Sequence, residues 1–368
     1  MLDGNLSDLL KLMTEKDASD IHLQVGSHPM FRIHGEIVRL TDFPPIDEKE
    51  LKEMIYKSLA DPFIEIFEKN WSLDTALGIA GVGRFRISIF QQRGTIGLVG
   101  RRIPQHVPNF EMLNLPASIS KIADFNNGLV LVTGATGCGK SSTLAALINQ
   151  INHRSTCHIL CIEDPIEFLY QNDRAVITQR EVGVDVDSFK SALRYALRQD
   201  PDVILVGEIR DEETVDFALR ASETGHLVFG TLHSSNATQT IGRLLNFFPQ
   251  SEHGQLRQSL SMQLKAVVSQ MLLPSCREGL SRVPASEIMF VTSPIKRLIA
   301  EGHDEKIIKA IKSGIKEWGM QDFEHSLYQL INDGFVTRET ALEFADNPHS
   351  LEMKLKGFFL DEEGGLVG

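Results

Sequence analysis

Apolar and polar positions follow two different periods over the first hundred residues. Apolar residues recur every three or four positions at 6–13 and 51–59, which predicts two helices. Apolar and polar residues alternate at 30–40 and 83–90, which predicts strands joined by glycine-containing turns. Helices and strands mixed on this scale predict a small α+β domain. We place it at residues 1–103, because about 100 residues is a common domain size.

A proline-rich segment at 104–116 separates this domain from a different pattern. Proline removes backbone donors and blocks helix continuation, so we predict an interdomain linker there. Beyond it, short apolar strands at 129–133, 159–162 and 203–206 alternate with helical segments. Apolar strands alternating with helices predict a parallel sheet covered on both faces, and therefore the α/β fold class.

The end of the chain shows a third pattern. After Pro274 the sequence is predicted to become helical and more charged, with apolar residues at helical spacing over 307–315. We assign residues 117–291 to the α/β domain and residues 292–356 to a C-terminal helical region. Residues 357–368 contain acidic residues and glycines and are predicted to form a mobile tail.

Composition narrows the class of protein. The chain has 42% hydrophobic and 23% charged residues, as ordinary globular proteins do. It contains no apolar run of the roughly 20 residues that span a bilayer and no signal-peptide pattern at its start, which predicts a cytoplasmic location. The net charge of −12 disfavours nucleic acid as the main partner, because phosphate-binding surfaces are usually basic. The four cysteines form no CxxC pair, which favours buried thiols over metal or redox chemistry.

A glycine-rich loop follows the first apolar strand of the α/β domain. Its residues are Gly134-Ala135-Thr136-Gly137-Cys138-Gly139-Lys140-Ser141, and a helix is predicted from Ser142. The glycines let backbone N–H groups point at the phosphates, and the helix N-terminus adds its dipole. Lys140 adds a positive charge, and the Ser141 hydroxyl is suited to bind Mg²⁺. Because strand and helix flank the loop correctly, the sequence predicts a site for ATP and Mg²⁺.

Carboxylates follow two further apolar strands. Glu208 lies just past the strand at 203–206, where it can reach the γ-phosphate. Gly207 occupies the position of the usual metal-binding Asp, so contact of Glu208 with the metal would be direct or through water. The acids Glu163, Asp164 and Glu167 follow the strand at 159–162, on the side of such a sheet where ligands bind. One of these three is expected to polarise the attacking water, and ion-paired surface acids are the alternative.

Two histidines bracket the apolar strand at 227–229. His233, or Thr231 beside it, could sense the γ-phosphate, and His226 could buttress the site. Satisfied structural histidines are the alternative, because histidines outside functional sites are common.

Five arginines are candidates for an arginine finger, which would require a ring of subunits. Alternation places Arg84 and Arg86 on one face of a strand, and helical spacing places Arg194 and Arg198 on one face of a helix. Arg210 closely follows Glu208. Solvent-exposed faces are the alternative interpretation of all five.

Together these motifs resemble the secretion and type IV pilus ATPase superfamily, and within it the pilus retraction ATPases. The resemblance runs from about Leu6 to about Lys356. Its motifs are Ala18–Leu23, Gly83–Arg86, the glycine loop, Glu163–Glu167 (an Asp box), Asp200–Asp211 (a Walker B strand), Glu223–His233 (a His box) and Gly319–Gln321.

The resemblance implies a PAS-like N-terminal domain linked to a RecA-like P-loop ATPase domain with C-terminal helices, assembled as a homohexamer. It implies that Glu208 and Glu167 are the catalytic carboxylates and that His226 and His233 form the His-box pair. The five arginines would face phosphates or subunit interfaces. The implied function is a motor that hydrolyses ATP to retract type IV pili in twitching motility, as the main or an accessory retraction ATPase.

The implied partners are other copies of the chain, an inner-membrane platform protein at which it docks from the cytoplasm, and a paralogous pilus ATPase. A pilus assembly or type II secretion ATPase is the main alternative, but such proteins usually carry a four-cysteine zinc element that this sequence lacks. A RecA-like DNA translocase is disfavoured by the acidic charge, and no nucleic-acid partner is expected. A regulator with little turnover is disfavoured by the carboxylates near the phosphate site.

Overall fold

The computed structural model of the protein describes residues 5–104 and 106–357, together with the backbone of 359–360 and 366–367. Of the predicted mobile tail, Gly357 and the backbone of 359–360 and 366–367 are described, and these two short strands pair antiparallel. The rest of the tail lies outside the described residues. Contacts divide the chain into two compact units. The first comprises Met1–His106 with the short segments Pro165–Leu169 and Gly183–Asp185, and the second comprises the remaining residues.

The first unit is a six-stranded antiparallel sheet with three helices. Its elements are α1 (Leu6–Glu15), β1 (Asp20–Gln24), β2 (Met30–Ile33), β3 (Glu36–Arg39), α2 (Glu48–Ser58), α3 (Asp61–Asn70), β4 (Ser72–Ile79), β5 (Gly83–Gln92) and β6 (Thr95–Arg102). The strand order is β3-β2-β1-β6-β5-β4. Alternation along β5 buries Phe85, Ile87 and Ile89 in the core of this unit. The α+β organisation predicted from the sequence is confirmed.

The second unit is built on a seven-stranded sheet. Its elements up to the last strand are β7 (Gly128–Gly134), α4 (Lys140–Arg154), β8 (His158–Glu163), β9 (Val176–Glu181), α5 (Phe189–Ala196), β10 (Val203–Val206), α6 (Glu212–Glu223), β11 (Leu227–Leu232), α7 (Ala237–Leu245), α8 (His253–Gln263), β12 (Leu264–Pro274) and β13 (Arg282–Phe290). The strand order is β13-β12-β7-β11-β10-β8-β9. Strands β7, β10 and β11 are buried along their whole length, as strands covered on both faces must be.

One part of this sheet differs from the prediction. The chain does not become helical directly after Pro274, because β13 returns antiparallel to β12 over Ala266–Pro274. Two strands joined by a short connection can only pair antiparallel, since a parallel pair needs a longer crossover. The sheet is therefore parallel from β12 to β9 with one antiparallel edge strand.

Six helices follow the sheet. They are α9 (Ser293–Glu301), α10 (Ile307–Ser313), α11 (Ile315–Trp318), α12 (Phe323–Asn332), α13 (Arg338–Phe344) and α14 (Pro348–Leu355). Ile307 and Ile311 of α10 are fully buried in the core of the second unit, as their helical spacing predicts. Within the part of the chain that the structure describes, no helix is long and apolar enough to cross a membrane.

Candidate nucleotide site

The candidate site lies at one edge of the second unit's sheet. Strands β7, β11, β10 and β8 are parallel neighbours, so their carboxyl ends meet at the same edge. The glycine loop leaves β7 there, and Glu163 and Glu208 lie at or just beyond the ends of β8 and β10. This edge is where open parallel sheets bind their ligands.

Backbone geometry explains the glycines of the loop. Gly134, Gly137 and Gly139 have φ angles of +142°, +79° and +97°, which side-chain-bearing residues rarely adopt. At Gly134 an added Cβ would also lie 2.3 Å from the carbonyl oxygen of Gln270 in β12. Helix α4 begins directly after Gly139, so its free N–H groups and positive dipole end face the loop.

Two side chains of the loop itself, those of Lys140 and Cys138, pack within it. Lys140 Nζ donates to the carbonyl oxygens of Gly134 and Ala135 at 2.9 and 3.0 Å, which places its charge over the loop. Cys138 is buried, and burial raises the pKa of its thiol. The Cys138 side chain therefore acts as a small packing group, whereas Ser141 at the start of α4 is exposed and can reach a ligand.

Residues of β12 that the sequence did not point to support the loop from behind. Thr143 Oγ1 in α4 donates to Gln270 Oε1 at 3.0 Å, and Thr133 Oγ1 at the end of β7 donates to Ser269 Oγ at 2.9 Å. Ser269 and Gln270 are buried polar residues that interrupt the apolar strand 264–273. That interruption is the signal that could have identified them.

A cavity of about 240 Å³ opens beside the loop. It is lined by residues of the loop and α4, of the strands β12 and β13, and of the segment 112–115. Examples are Leu113, Cys138, Ser142, Leu272 and Arg282. Apolar walls with a few polar groups are typical of small-molecule sites. The cavity is therefore suited to the part of a nucleotide that lies next to its phosphates.

Glu208 is the centre of an ion-pair cluster. Its Oε2 accepts a hydrogen bond from Arg210 Nε at 2.8 Å, and its Oε1 lies 3.4 Å from His233 Nε2. Arg210 also lies 3.6 Å from Asp164 through Nη1 and Oδ2. The structure thus brings together Asp164, Glu208, Arg210 and His233, all of them predicted site residues. Arg210 and His233 thus hold the Glu208 carboxylate by its two oxygens.

The turn before Glu208 has little room for a side chain. A Cβ at Gly207 would lie 3.1 Å from the carbonyl oxygen of Ile162 and 3.2 Å from Cα of Glu163. The Gly207 N–H donates to Ile162 O at 2.8 Å, and Thr231 Oγ1 donates to Gly207 O. This close packing of backbone explains why a glycine stands where related strands place an acid.

The three acids after β8 are separated by the structure. Glu163 is buried, and its Oε1 accepts from Gln179 Nε2 at 3.1 Å. Asp164 joins the Glu208 cluster through Arg210. Glu167 belongs to the segment Pro165–Leu169 that groups with the first unit. Asp164 is thus the acid for which the structure gives an ion pair to Arg210 of the Glu208 cluster.

His226 does not lie at this edge. It directly precedes β11 and His233 directly follows it, so the seven residue steps between them span about 23 Å at ~3.3 Å per residue. Its Nδ1 lies 2.9 Å from Ala221 O and 3.0 Å from Thr224 Oγ1, in the turn after α6. The structure therefore places His226, which the sequence offered as a buttress of the site, at the opposite end of β11 from His233.

The remaining arginines lie on α5, directly after it, and on β5. Arg194 lies in the last turn of α5 and Arg198 follows the helix. Their guanidinium carbons lie 5.8 and 6.0 Å from the centroid of the Tyr195 ring. Both are exposed. Arg84 and Arg86 lie on β5 of the first unit, opposite the buried Phe85, as alternation predicts.

The side chains at the edge fit a Mg²⁺ that is held mainly by phosphate oxygens. Among the described residues, no group of three or more His, Cys, Asp or Glu could hold a metal alone. Mg²⁺ usually keeps several waters and takes one or two protein ligands together with substrate phosphates. The exposed Ser141 hydroxyl and the Glu208 carboxylate are oxygen donors of the required kind.

Comparisons with known proteins agree with this geometry. The family described as type II/IV secretion system protein matches residues 5–313. The type IV pilus ATPase PilU of Pseudomonas aeruginosa is 41% identical over 95% of this chain and 90% of its own length. The retraction ATPase PilT of the same organism is 42% identical over 94% of this chain and 99% of its own length. The crystal structure of the pilus retraction motor PilT with bound ADP matches with a TM-score of 0.87 at 41% identity, over 95% of this chain and 99% of that chain. The family resemblance and the fold class predicted from the sequence are confirmed.

Proposed function

Because this chain belongs to the type II/IV secretion system protein family and is an ATPase, we propose that it is a motor that drives type IV pilus retraction. The observation that carries the proposal is the placement of Glu208. It stands at the same sheet edge as the glycine loop, with its carboxylate held by Arg210 and His233. Relatives named for pilus retraction match nearly the whole chain, so the activity is proposed for both units together.

Hydrolysis would proceed by in-line attack of water on the γ-phosphorus. The backbone N–H groups of the loop and Lys140 bind the phosphates, and Glu208 accepts the proton of the attacking water. The oxygen of that water bonds to phosphorus as the bond to the β-phosphate oxygen breaks, which yields ADP and phosphate. Mg²⁺, held by Ser141 and by Glu208 directly or through water, would neutralise charge on the phosphate oxygens.

The motor is proposed to work as a homohexamer. Arg84 and Arg86 would then complete a pocket, and Arg194, Arg198 and His226 would act at subunit boundaries. Docking at an inner-membrane platform protein from the cytoplasm, and association with a paralogous pilus ATPase, belong to the same proposal. A retraction motor needs such a docking point because its force must be applied to a fixed machine.

Steady-state phosphate release and genetic complementation test the proposal together. ATPase rate per subunit should rise steeply with protein concentration, and expression should restore twitching to a piliated bacterium that lacks its retraction ATPase. Restored pilus assembly in a strain without its assembly ATPase would instead show the alternative function. Stimulation of hydrolysis by DNA would show a translocase.

Mixed subunits test the ring. Subunits with Lys140→Ala keep their arginines, and subunits with Arg84→Ala keep their glycine loop. Activity recovered on mixing these two inactive proteins requires an arginine that acts across a subunit boundary. No recovery, with a rate per subunit independent of concentration in the wild type, would mean that each subunit works alone.

A further inference from the structure

Glu287 is a buried acid outside the cluster described above. It lies in β13 and is only 3% exposed. Its Oε1 accepts a hydrogen bond of 2.7 Å from the backbone N–H of Ala237, the first residue of α7. The first N–H groups of a helix have no partner inside the helix, and the N-terminus carries a partial positive charge. The Glu287 carboxylate therefore anchors the start of α7 by a charge-assisted hydrogen bond.

The start of α7 is closely coupled to His233. Only the four residues 233–236 connect the end of β11 to α7. Ser234 and Thr240 are joined through their hydroxyls at 2.8 Å, so this connection is also fixed to the first turn of α7. A displacement of α7 would therefore move His233, whose Nε2 lies 3.4 Å from Glu208 Oε1.

The same carboxylate belongs to a row of polar residues that reaches the glycine loop. Glu287 stands opposite Ser269 in the β12–β13 pair, and Ser269 stands opposite Thr133 in the β12–β7 pair. Side chains of paired residues share one face of a sheet, and all three are buried. Thr133 Oγ1 donates to Ser269 Oγ at 2.9 Å and directly precedes Gly134.

We propose that Glu287 is a positioning residue for ATP hydrolysis. Its carboxylate holds α7, and through α7 the segment that carries His233, in place beside Glu208 at the edge where the glycine loop begins. Glu287 touches neither substrate nor reacting atoms. The inference rests on the roles proposed for Glu208 and His233.

The buried charge of Glu287 lowers the stability of the fold. A positioning role in catalysis can therefore be told apart from a role in stabilising the fold. Burial, together with the nearby Asp322 and Asp346, raises the pKa of Glu287 to about 7, although the hydrogen bond from the Ala237 N–H lowers it. Asp322 is itself paired with Lys312 of α10 at 3.3 Å. Because the folded-state pKa lies above the ordinary 4.5, the folded protein binds this proton more tightly than the unfolded chain. Stability therefore falls as the pH rises from about 4.5 to about 7, and the penalty is complete above pH 7.

Glu287→Gln tests the proposal, because glutamine keeps the shape and an oxygen acceptor for Ala237 but carries no charge. Measured at pH 8, kcat should fall about 10- to 100-fold, the range for misplaced catalytic groups, with KM for ATP nearly unchanged. The thermal midpoint should equal or exceed that of the wild type. The wild-type rate should also fall as the pH drops through about 7, because Glu287 becomes protonated. Glu287→Gln should not show this decrease in rate.

Two further proteins make the result decisive. Glu317→Gln, the same change at an exposed position of α11, should match the wild type in every measurement. Glu208→Gln, assayed in parallel, tests the function on which the inference rests. Wild-type turnover in Glu208→Gln would overturn the proposed function. If Glu208→Gln is inactive and Glu287→Gln has the wild-type kcat, this inference alone is overturned. It is also overturned if the kcat loss in Glu287→Gln comes with a lower thermal midpoint, because the loss would then reflect a less stable fold.

Discussion

The glycine loop and the Glu208 cluster lie at the same edge of one sheet, but they are held in different ways. The loop is one continuous stretch whose shape depends on positive φ angles at three glycines and on backbone packing against Gln270. The cluster gathers side chains from three separate strand ends, Asp164 after β8, Glu208 after β10 and His233 after β11.

This difference suggests that the loop serves nucleotide binding and that the Glu208 cluster serves hydrolysis. The loop presents backbone donors and one buried lysine, so the proposed phosphate binding does not require the Glu208 cluster. The cluster consists of partly exposed ion pairs, and Arg210 is half exposed. Such pairs typically contribute about 0–1 kcal/mol to stability, so their value must lie in orienting Glu208. Changes in the loop should therefore abolish binding, and changes in the cluster should slow turnover with binding intact.

The largest effect is expected at Lys140. Lys140→Ala removes the side-chain charge that lies over the loop, so ATP binding should be lost and turnover should fall to background. Isothermal titration with ATP and phosphate release measure the two effects. The exposed Lys316→Ala is the control and should behave as wild type. Near-normal turnover in Lys140→Ala would show that the loop is not the phosphate site.

Glu208→Gln should separate chemistry from binding. ATP affinity should stay close to wild type, while kcat should fall by about 10²–10⁴, the range for losing a positioned general base. Glu167→Gln is the matched comparison, because the family resemblance assigns both carboxylates to catalysis. Loss in Glu167→Gln alone would make Glu167 the base and leave Glu208 to the metal. Weakened ATP binding in Glu208→Gln would break the division between loop and cluster.

The sequence predicted the loop more completely than the cluster for a physical reason. Most of what shapes the loop is local, namely an apolar strand, three glycines and a helix start, and only its support by β12 comes from far along the chain. For the cluster, strand ends predicted which acids and histidines were candidates, but contacts between them depend on the order of strands in the sheet. Thus the sequence showed that His226 and His233 bracket an apolar strand, but the contact of His233 with Glu208 depends on β10 and β11 being neighbours in the sheet.

The strands β12 and β13 show what sequence patterns could not predict. Ser269, Gln270 and Glu287 are polar, yet all are buried because each bonds to a residue far away in the chain. The contact of Glu287 with Ala237 spans fifty positions. Hydrophobic periodicity carries no information about such partners, so a polar residue in these strands looks like a break in the pattern.

The smallest effect, and the sharpest test of the comparison, concerns the two histidines. His233→Asn should lower kcat about three- to tenfold, because it removes one polar contact of the Glu208 carboxylate and such contacts are worth about 1 kcal/mol. His226→Asn changes a turn at the opposite edge of the sheet, where asparagine can still bond to Ala221, and kcat of a single subunit should fall less than about twofold.

Single-turnover rates should be measured both at low protein concentration and in the assembled state. If the cluster of one subunit is the whole catalytic device, the His233 effect should be the same in both states and the His226 effect absent from both. A His226 loss that appears only on assembly would place this histidine at a boundary between subunits. An equal loss for both variants in the dilute protein would contradict the division between the two edges of the sheet.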